Sequence, residues 1–229
     1  MSGAIASRAA AGLLHIEDEP IWIDAVAQLQ SSWPEVRYLG SAMTGTEGVD
    51  LCRKKHATIV LLNLWLPDAN GFEVAEQLSR LSRPPRVLLF TWRFDDMVLY
   101  RMNHSPVYGL VWKTHRFREQ LRSAVSAILA GQHYFPPEVQ AELSRFHSSP
   151  FCFAKILSRT EIDLLPRLGE GATDQEIAAE AGLSASTVKW HRQRIMAKLG
   201  FHRTIDLIRW ARLKGFVEDQ RPAPPCAVG

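Results

Sequence analysis

The chain has little cysteine, no long apolar run and no glycine-rich phosphate loop. Its three cysteines, Cys52, Cys152 and Cys226, lie far apart without CxxC spacing, which indicates neither a disulfide framework nor a zinc site. No segment approaches the length of a membrane span. An enzyme is the least supported class of function, because the sequence also lacks a convincing pair of nucleophile and base. These absences favour a protein of the reducing cytoplasm without a membrane segment.

The length and composition predict two domains joined by a linker. A chain of 229 residues with 46% hydrophobic content is long enough for sizeable cores. We expect the first domain over residues 12–130 and the second over 154–218. Proline, glycine and serine between them predict a linker at 131–153, and the pattern from Glu138 to Phe146 allows a short helix within it. Residues 1–11, rich in alanine and serine, are expected to form a disordered leader, and residues 219–229 a disordered tail.

Short apolar runs alternate with helical patterns through the first domain. The runs of strand length cover residues 13–16, 36–39, 58–62, 87–90 and 107–112. Helical patterns follow near 20–31, 45–55, 71–81, 94–102 and 116–130. This alternation predicts an α/β fold with a five-stranded, doubly wound parallel sheet of the flavodoxin-like type. In such folds the functional site lies at the carboxyl ends of the strands.

Polar side chains stand where the predicted strands end. They are Glu17 and Asp18 after the first strand, Asn63 at the end of the third, Thr91 after the fourth and Lys113 after the fifth. We expect them to share one crevice at that edge of the sheet. An aspartate at the end of the third strand would be able to attack a phosphoryl donor, whereas the Asn63 amide is uncharged and a far weaker nucleophile.

The first domain resembles the receiver domain of bacterial response regulators. In that family an acidic pair holds Mg²⁺, an aspartate ending the third strand takes the phosphoryl group, and a hydroxyl residue and a lysine contact it. The matching positions are Glu17 and Asp18 for the acidic pair, Thr91 for the hydroxyl, Lys113 for the lysine, and Leu66-Pro67-Asp68 with Gly71 for the loop after the third strand. Asn63 alone breaks the reactive position.

The resemblance therefore implies a pseudo-receiver that lacks its phosphoacceptor. Mg²⁺ favours anionic oxygen ligands, so Glu17 and Asp18 are expected to bind it weakly at most. In a crevice without metal, we expect Lys113 to pair with Asp18 or to hydrogen-bond Asn63. A protein partner or a small ligand is the alternative occupant of such a crevice.

Three further departures from the family pattern accompany the change at position 63. Leu110 replaces the usual switching aromatic, Trp92 follows the hydroxyl residue where a small side chain is usual, and Thr114 follows the lysine where proline is common. These departures favour natural divergence. The alternative stays open that the asparagine is an engineered replacement in an otherwise ordinary phosphorylated regulator.

Positive charge and helix signals are concentrated in the second domain. Residues 184–215 carry eight Lys/Arg against Asp206 alone, whereas residues 1–135 carry 14 Lys/Arg against 13 Asp/Glu. Such a stretch suits phosphate backbones. Two S/T-x-x-E capping boxes, at 158–161 and 173–176, predict helix starts. Glycines at 182, 200 and 215 predict helix ends, so we expect four short helices.

The third of these helices, Ser184 to Leu199, has two different faces. At 100° per residue, Val188, Ile195 and Leu199 fall in one narrow apolar sector. The opposite side carries Ser186, Trp190, Gln193 and Ala197, flanked by Lys189 and Arg194. A helix with one apolar and one basic, hydrogen-bonding face is suited to a DNA major groove.

The second domain resembles the LuxR-type helix-turn-helix domain. The motifs that carry the resemblance are Leu157-Ser-Arg-Thr-Glu, Asp174-Gln-Glu-Ile-Ala, Ser186-Thr-Val-Lys-Trp-His and Lys198-Leu-Gly. Together with the receiver, they identify the NarL/FixJ class of response regulators. The resemblance implies base contacts by Lys189, Trp190 and Gln193, and phosphate contacts by Arg194, Arg192, Thr187 and Ser186. It also implies that the fourth helix, Arg203 to Lys214, pairs two copies on a two-fold DNA site.

These patterns predict a cytoplasmic transcription regulator that binds double-stranded DNA as a homodimer and does not depend on aspartyl phosphorylation. Its receiver would serve as a dimerisation or partner surface. The alternative, from a different class, is a protein-interaction module that sequesters a kinase or another regulator.

Overall fold

The computed structural model of the chain describes residues 10–92, 94–149 and 152–217. Most of the predicted leader and the whole predicted tail lie outside these residues, whereas Ala11 already belongs to the first strand. Within the described residues the chain forms two compact units. One contains the chain up to residue 93 and His104–Val139, and the other contains Phe94–Asn103 and the chain from Gln140 onward.

A five-stranded sheet forms the centre of the first unit. The strands are β1 (Ala11–Ile16), β2 (Val36–Ala42), β3 (Ile59–Asn63), β4 (Arg86–Thr91) and β5 (Val107–Trp112). Their order is β2-β1-β3-β4-β5, and every neighbouring pair is parallel. The doubly wound fold predicted from the sequence is confirmed. Every residue of β3 is buried, as expected of a central strand covered on both faces.

Helices follow the strands at the positions that the sequence pattern indicates. They are α1 (Pro20–Ala27), which a 3₁₀ turn extends over Gln28–Ser32, α2 (Gly45–Lys55), α3 (Gly71–Ser79), α4 (Asp96–Met102) and α5 (Phe117–Leu129). Side-chain caps begin three of them: Thr44 accepts a hydrogen bond from Glu47 N, Asn70 accepts one from Phe72 N, and Asp95 accepts one from Val98 N. Helix α4 groups with the second unit, although its residues lie within the range predicted for the first domain.

The edge of β5 is covered by the residues that follow α5. Tyr134 N donates to Tyr108 O at 2.9 Å, and Leu110 N donates to Tyr134 O at 3.0 Å. A Cβ at Gly109 would meet the Tyr134 carbonyl oxygen at 2.1 Å. The short strand-like segment therefore requires glycine at position 109.

The predicted linker has more helix than its composition indicates. A short helix was predicted near Glu138 to Phe146, but α6 runs over Pro137–Ser148, and α7 covers Phe153–Ile156. Pro137 stands at the first helical position, where its fixed φ and missing N–H are well tolerated. Buried Val139 and Phe146 give the helix an apolar face, which stabilises it beyond its intrinsic propensity.

Four helices complete the second unit, as the capping signals predict. They are α8 (Arg159–Glu170), α9 (Asp174–Ala181), α10 (Ala185–Leu199) and α11 (Thr204–Leu213). Both predicted capping boxes are present, on Ser158 with Glu161 and on Thr173 with Glu176. Gly182 and Gly200 end α9 and α10 in the left-handed conformation. Among all described helices, none has the length and apolarity of a membrane span.

Candidate functional site

The first candidate site is the crevice at the carboxyl ends of the strands, where Asn63 ends β3. Its side chain is buried, and its Nδ2 donates to Asp18 Oδ1 at 2.8 Å and to Trp65 O at 2.7 Å. Gly71 packs directly against this strand end, because its N–H donates to Leu64 O at 2.8 Å and a Cβ would lie 2.6 Å from Asn63 O. The amide is thus fixed by two acceptors, one of which is the neighbouring carboxylate.

Lys113 is buried on the same side of the sheet as Glu17. Its ammonium lies 2.8 Å from Glu17 Oε2 and 3.0 Å from Glu19 Oε1, and both the Lys113 and Glu17 side chains are fully buried. The rings of Trp22 and Phe90 lie within 5.8 and 5.5 Å of the ammonium.

The expected partners of Lys113, Asp18 or Asn63, were therefore wrong. Side chains alternate between faces along an extended chain, so Glu17 and Glu19 lie together on the lysine side. Asp18, between them, is instead hydrogen-bonded to the asparagine.

A buried histidine lies beneath this ion pair. His15 is fully buried in β1, its Nε2 lies 3.8 Å from Glu17 Oε2, and neither ring nitrogen has a hydrogen-bond partner among the described residues. Burial, with a smaller contribution from the Lys113 ammonium, lowers the pKa of His15 to about 3. Burial raises the pKa of Glu17 to about 7 against the opposing effect of Lys113. The imidazole is therefore neutral at physiological pH.

The two acids expected to bind magnesium weakly are both engaged with other side chains. Glu17 is occupied by Lys113, and Asp18 accepts a hydrogen bond from Asn63. In the described part of the chain, no three His, Cys, Asp or Glu side chains are grouped as metal ligands. Mg²⁺ in proteins is usually held by one or two carboxylates together with several waters, and here both candidate carboxylates already contact other groups.

The remaining crevice residues are tightly placed. Thr91 is buried, and its carbonyl accepts a hydrogen bond from Lys113 N at 3.0 Å. Leu110 is fully buried, and Trp92 is half-buried. Asp68, in the loop after β3, caps α2 through hydrogen bonds from Gly45 N at 2.7 Å and Thr46 N at 3.0 Å.

The second candidate site is the outer face of α10. Val188 and Ile195 are fully buried, and Leu199 is partly buried. The exposed face carries Ser186, Lys189, Trp190, Gln193, Arg194 and Ala197. These exposures agree with the two faces assigned from the helical period.

All four residues assigned to phosphate contact already have partners within the domain, and Arg194 lies 3.4 Å from Glu161. Ser186 Oγ and Thr187 Oγ1 each lie 2.8 Å from Ser184 Oγ at the start of α10. Arg192 forms an ion pair with Asp174 at 2.8 Å, and its side chain is only 19% exposed. A phosphate would have to share the Arg192 guanidinium with Asp174.

The fourth helix of the domain, α11, has both exposed and partly buried apolar residues. Ile208 and Trp210 are partly buried, whereas Ile205 and Leu213 are exposed. Trp210 packs in an aromatic group with Phe153 and Phe216. The helix thus closes the domain with one face and presents apolar side chains on another.

Sequence reasoning missed Glu19 and His15 in the crevice and Glu161 beneath α10. Glu19 follows Glu17 by two residues, and this spacing is the available signal that both share a face. His15 precedes Glu17 by the same spacing. Glu161 was recognised only as part of a capping box, although its carboxylate also pairs with Lys198 of α10.

Comparisons with known proteins address both domains. The family model of the response regulator receiver domain matches residues 13–126, and that of the bacterial regulatory proteins of the luxR family matches residues 155–211. A putative transcriptional regulator of Pseudomonas aeruginosa is 30% identical over 175 residues, which cover 76% of this chain and 84% of that protein. The chain belongs to the LuxR-type response regulators.

Other relatives of this response regulator agree with that assignment. The virulence factors putative positive transcription regulator BvgA of Bordetella pertussis is 29% identical over 202 residues, 87% of this chain and 96% of that protein. The solved structure of RcsB from Salmonella enterica serovar Typhimurium, bound to promoter rprA in the presence of phosphomimetic BeF3-, has a TM-score of 0.61 at 20% identity. It covers 88% of this chain and 98% of that one, which shows a common fold.

Proposed function

We propose that this response regulator binds double-stranded DNA through α10 and controls transcription without aspartyl phosphorylation. The observation that carries the proposal is the amide of Asn63, hydrogen-bonded to Asp18 and Trp65 at the end of β3. Asn63 stands at the position of the family's phosphoacceptor. The uncharged amide is a far weaker nucleophile for phosphoryl transfer than the carboxylate of the family.

The surroundings of Asn63 support the same conclusion. A receiver lysine must reach the phosphoryl group, but Lys113 is held by Glu17 and Glu19. The acids that would hold Mg²⁺ are engaged with other partners, and phosphoryl transfer depends on that metal to neutralise charge. The phosphoacceptor position holds an amide, and the lysine and the two acids are engaged with other side chains.

The exposed face of α10 supports DNA binding. Lys189 and Gln193 present the donors and acceptors that read base edges, and Trp190 presents a large apolar surface suited to a thymine methyl. Arg194 lies on the same side and suits a phosphate. The solved RcsB complexes with DNA support this use of a similar domain.

We extend the proposal to a homodimer on a two-fold DNA site. The exposed apolar residues Ile205 and Leu213 of α11 support pairing of two DNA-binding domains. The receiver serves as a further dimerisation or partner surface, because a domain that does not accept phosphate retains its surface for contacts.

The test is a footprint on genomic promoter fragments with the full chain, with and without acetyl phosphate and Mg²⁺. We expect the same protected sites at the same protein concentration in both conditions. Protection that appears only with the phosphodonor would contradict phosphorylation independence. If no fragment is protected while a kinase co-purifies with the chain, the interaction-module alternative replaces the proposal.

A further inference from the structure

A nearly buried carboxylate lies beneath the exposed face of α10. Glu161, the third residue of α8, is 1% exposed, and its Oε2 accepts a hydrogen bond from Ser158 N at 2.7 Å. The same oxygen accepts a hydrogen bond from Lys198 Nζ at 2.6 Å, and Oε1 lies 3.4 Å from Arg194 Nε. The carboxylate thus joins the start of α8 to two cations of α10.

The charged state of Glu161 is maintained inside the domain. Burial would raise its pKa, but the hydrogen bonds from Lys198 and Ser158 outweigh burial and lower the pKa below its ordinary value. A capping box needs only one oxygen of this side chain. The second oxygen is directed to Arg194, which places a fixed negative charge beside that guanidinium.

Arg194 is held from a second side by Trp190, one helical turn earlier. The central carbon of its guanidinium lies 5.0 Å from the Trp190 ring centroid. Both side chains remain about half exposed, Trp190 at 51% and Arg194 at 52%. The printed contact with Glu161 is made through Nε, and about half of the Arg194 side chain remains accessible to a ligand.

We infer that Glu161 is a positioning residue for DNA binding: with Trp190 it fixes the Arg194 guanidinium as a preformed phosphate contact on α10. This inference rests on the proposed DNA-binding function and deepens it. An arginine side chain has many rotamers, and ordering it at an interface reduces affinity. A carboxylate on one edge and an indole on one face order it before DNA arrives.

Positioning of Arg194 and simple electrostatics predict opposite changes in DNA affinity when the Glu161 charge is removed. A negative charge near the phosphate backbone repels DNA, so its removal alone would tighten binding. If the charge instead positions Arg194, its removal weakens binding. The direction of the change therefore distinguishes the two effects.

The experiment measures affinity for a footprinted DNA fragment by fluorescence anisotropy over a series of salt concentrations, with the full chain. Glu161→Gln keeps the capping geometry, since glutamine also serves in a capping box. We expect about a three- to tenfold loss of affinity, the size of one side chain that must now be ordered on binding. The slope of the logarithm of affinity against the logarithm of salt concentration should become shallower, by up to the amount expected for about one phosphate contact.

A matched control removes the same charge from the same helix. Asp163→Asn breaks an exposed pair with Arg159, 3.1 Å away, and leaves the contacts of α10 in place. We expect unchanged or slightly tighter binding. Thermal melting of each variant reports whether the domain remains folded at the assay temperature.

Substitutions at Arg194 separate positioning from fold stability, because this side chain is exposed. In an Arg194→Gln background, Glu161→Gln should have no further effect on affinity. Arg194→Lys keeps the charge but loses the planar guanidinium, and should lose nearly as much affinity as Arg194→Gln.

The outcomes separate the two proposals. Wild-type protein that binds no DNA contradicts the proposed function. If the wild-type protein binds DNA, three results would contradict the positioning role of Glu161. One is unchanged or tighter DNA binding by Glu161→Gln. The others are a loss of affinity from Glu161→Gln that persists in the Arg194→Gln background, and full DNA affinity of Arg194→Lys.

Discussion

Replacing Lys113 with methionine tests whether the crevice lysine is an internal ion-pair partner. Methionine has a similar length but no charge, so Lys113→Met leaves the fully buried Glu17 carboxylate without its cation, 2.8 Å away in the native structure. Loss of one partner of a buried pair costs about 3–5 kcal/mol. The Glu19 contact is partly exposed and adds less than about 1 kcal/mol. Because the free energy of unfolding of a domain is about 5–15 kcal/mol, Lys113→Met should remove a large part of it.

Hydrogen exchange of the full chain, followed by mass spectrometry, measures the loss of amide protection in each segment. We expect Lys113→Met to lower protection in β1 and β5 and not in the second unit. The measurement should be made near pH 8, above the raised pKa of Glu17. The stability difference between Lys113→Met and wild type should become smaller toward lower pH, because a Glu17 carboxyl without its cation protonates more readily. The control Glu17→Gln with Lys113→Met removes both charges and should recover most of the loss. A loss below about 1 kcal/mol in the single variant would refute the reasoning, since it would mean that the lysine is not committed to Glu17.

Three other substitutions test separate parts of the structure. Relative to wild type, His15→Leu should gain about 1.4 kcal/mol in the free energy of unfolding for each pH unit below 6.5, down to about pH 3, because the unfolded histidine binds a proton that the buried one does not. Denaturation curves of the two proteins, measured side by side, that do not diverge as the pH falls would contradict this. Gly109→Ala should displace the segment at Tyr134 and cost about 1–3 kcal/mol, and limited proteolysis after α5 that stays at the wild-type rate would show that the contact is not restrictive. Arg192→Met should reduce the free energy of unfolding by about 1 kcal/mol through loss of the Asp174 pair. A salt slope of DNA affinity that falls by the amount of about one phosphate contact would instead assign Arg192 to a phosphate.

Much of the fold was accessible from local sequence signals. Buried strands such as β3 are continuous apolar runs, and the capping boxes at Ser158 and Thr173 specify helix starts through contacts three residues apart. The two faces of α10 follow from the helical period alone. Such features depend on neighbours in the chain, and the sequence contains them directly.

The contacts that define the crevice were less accessible. Lys113 and Glu17 are 96 residues apart, and the choice of Glu17 and Glu19 over Asp18 depends on which face each acid occupies after β1. The helix at Pro137–Ser148 extends beyond its weak sequence pattern because Val139 and Phe146 are buried by tertiary packing. Glu161 was underestimated because a capping box explains only part of its contacts.

The most direct test of the account is the intact mass of the full chain after incubation with acetyl phosphate and Mg²⁺, with DNA affinity measured on the same samples. We expect the wild-type chain to gain no phosphoryl group and to bind its DNA site equally well before and after treatment. Asn63→Asp, treated in parallel, shows whether the missing oxygen is the whole difference: uptake would assign the loss to residue 63 alone, and no uptake would assign it also to the paired lysine. A covalent phosphate on the wild-type crevice, accompanied by a change in DNA affinity, would contradict the account.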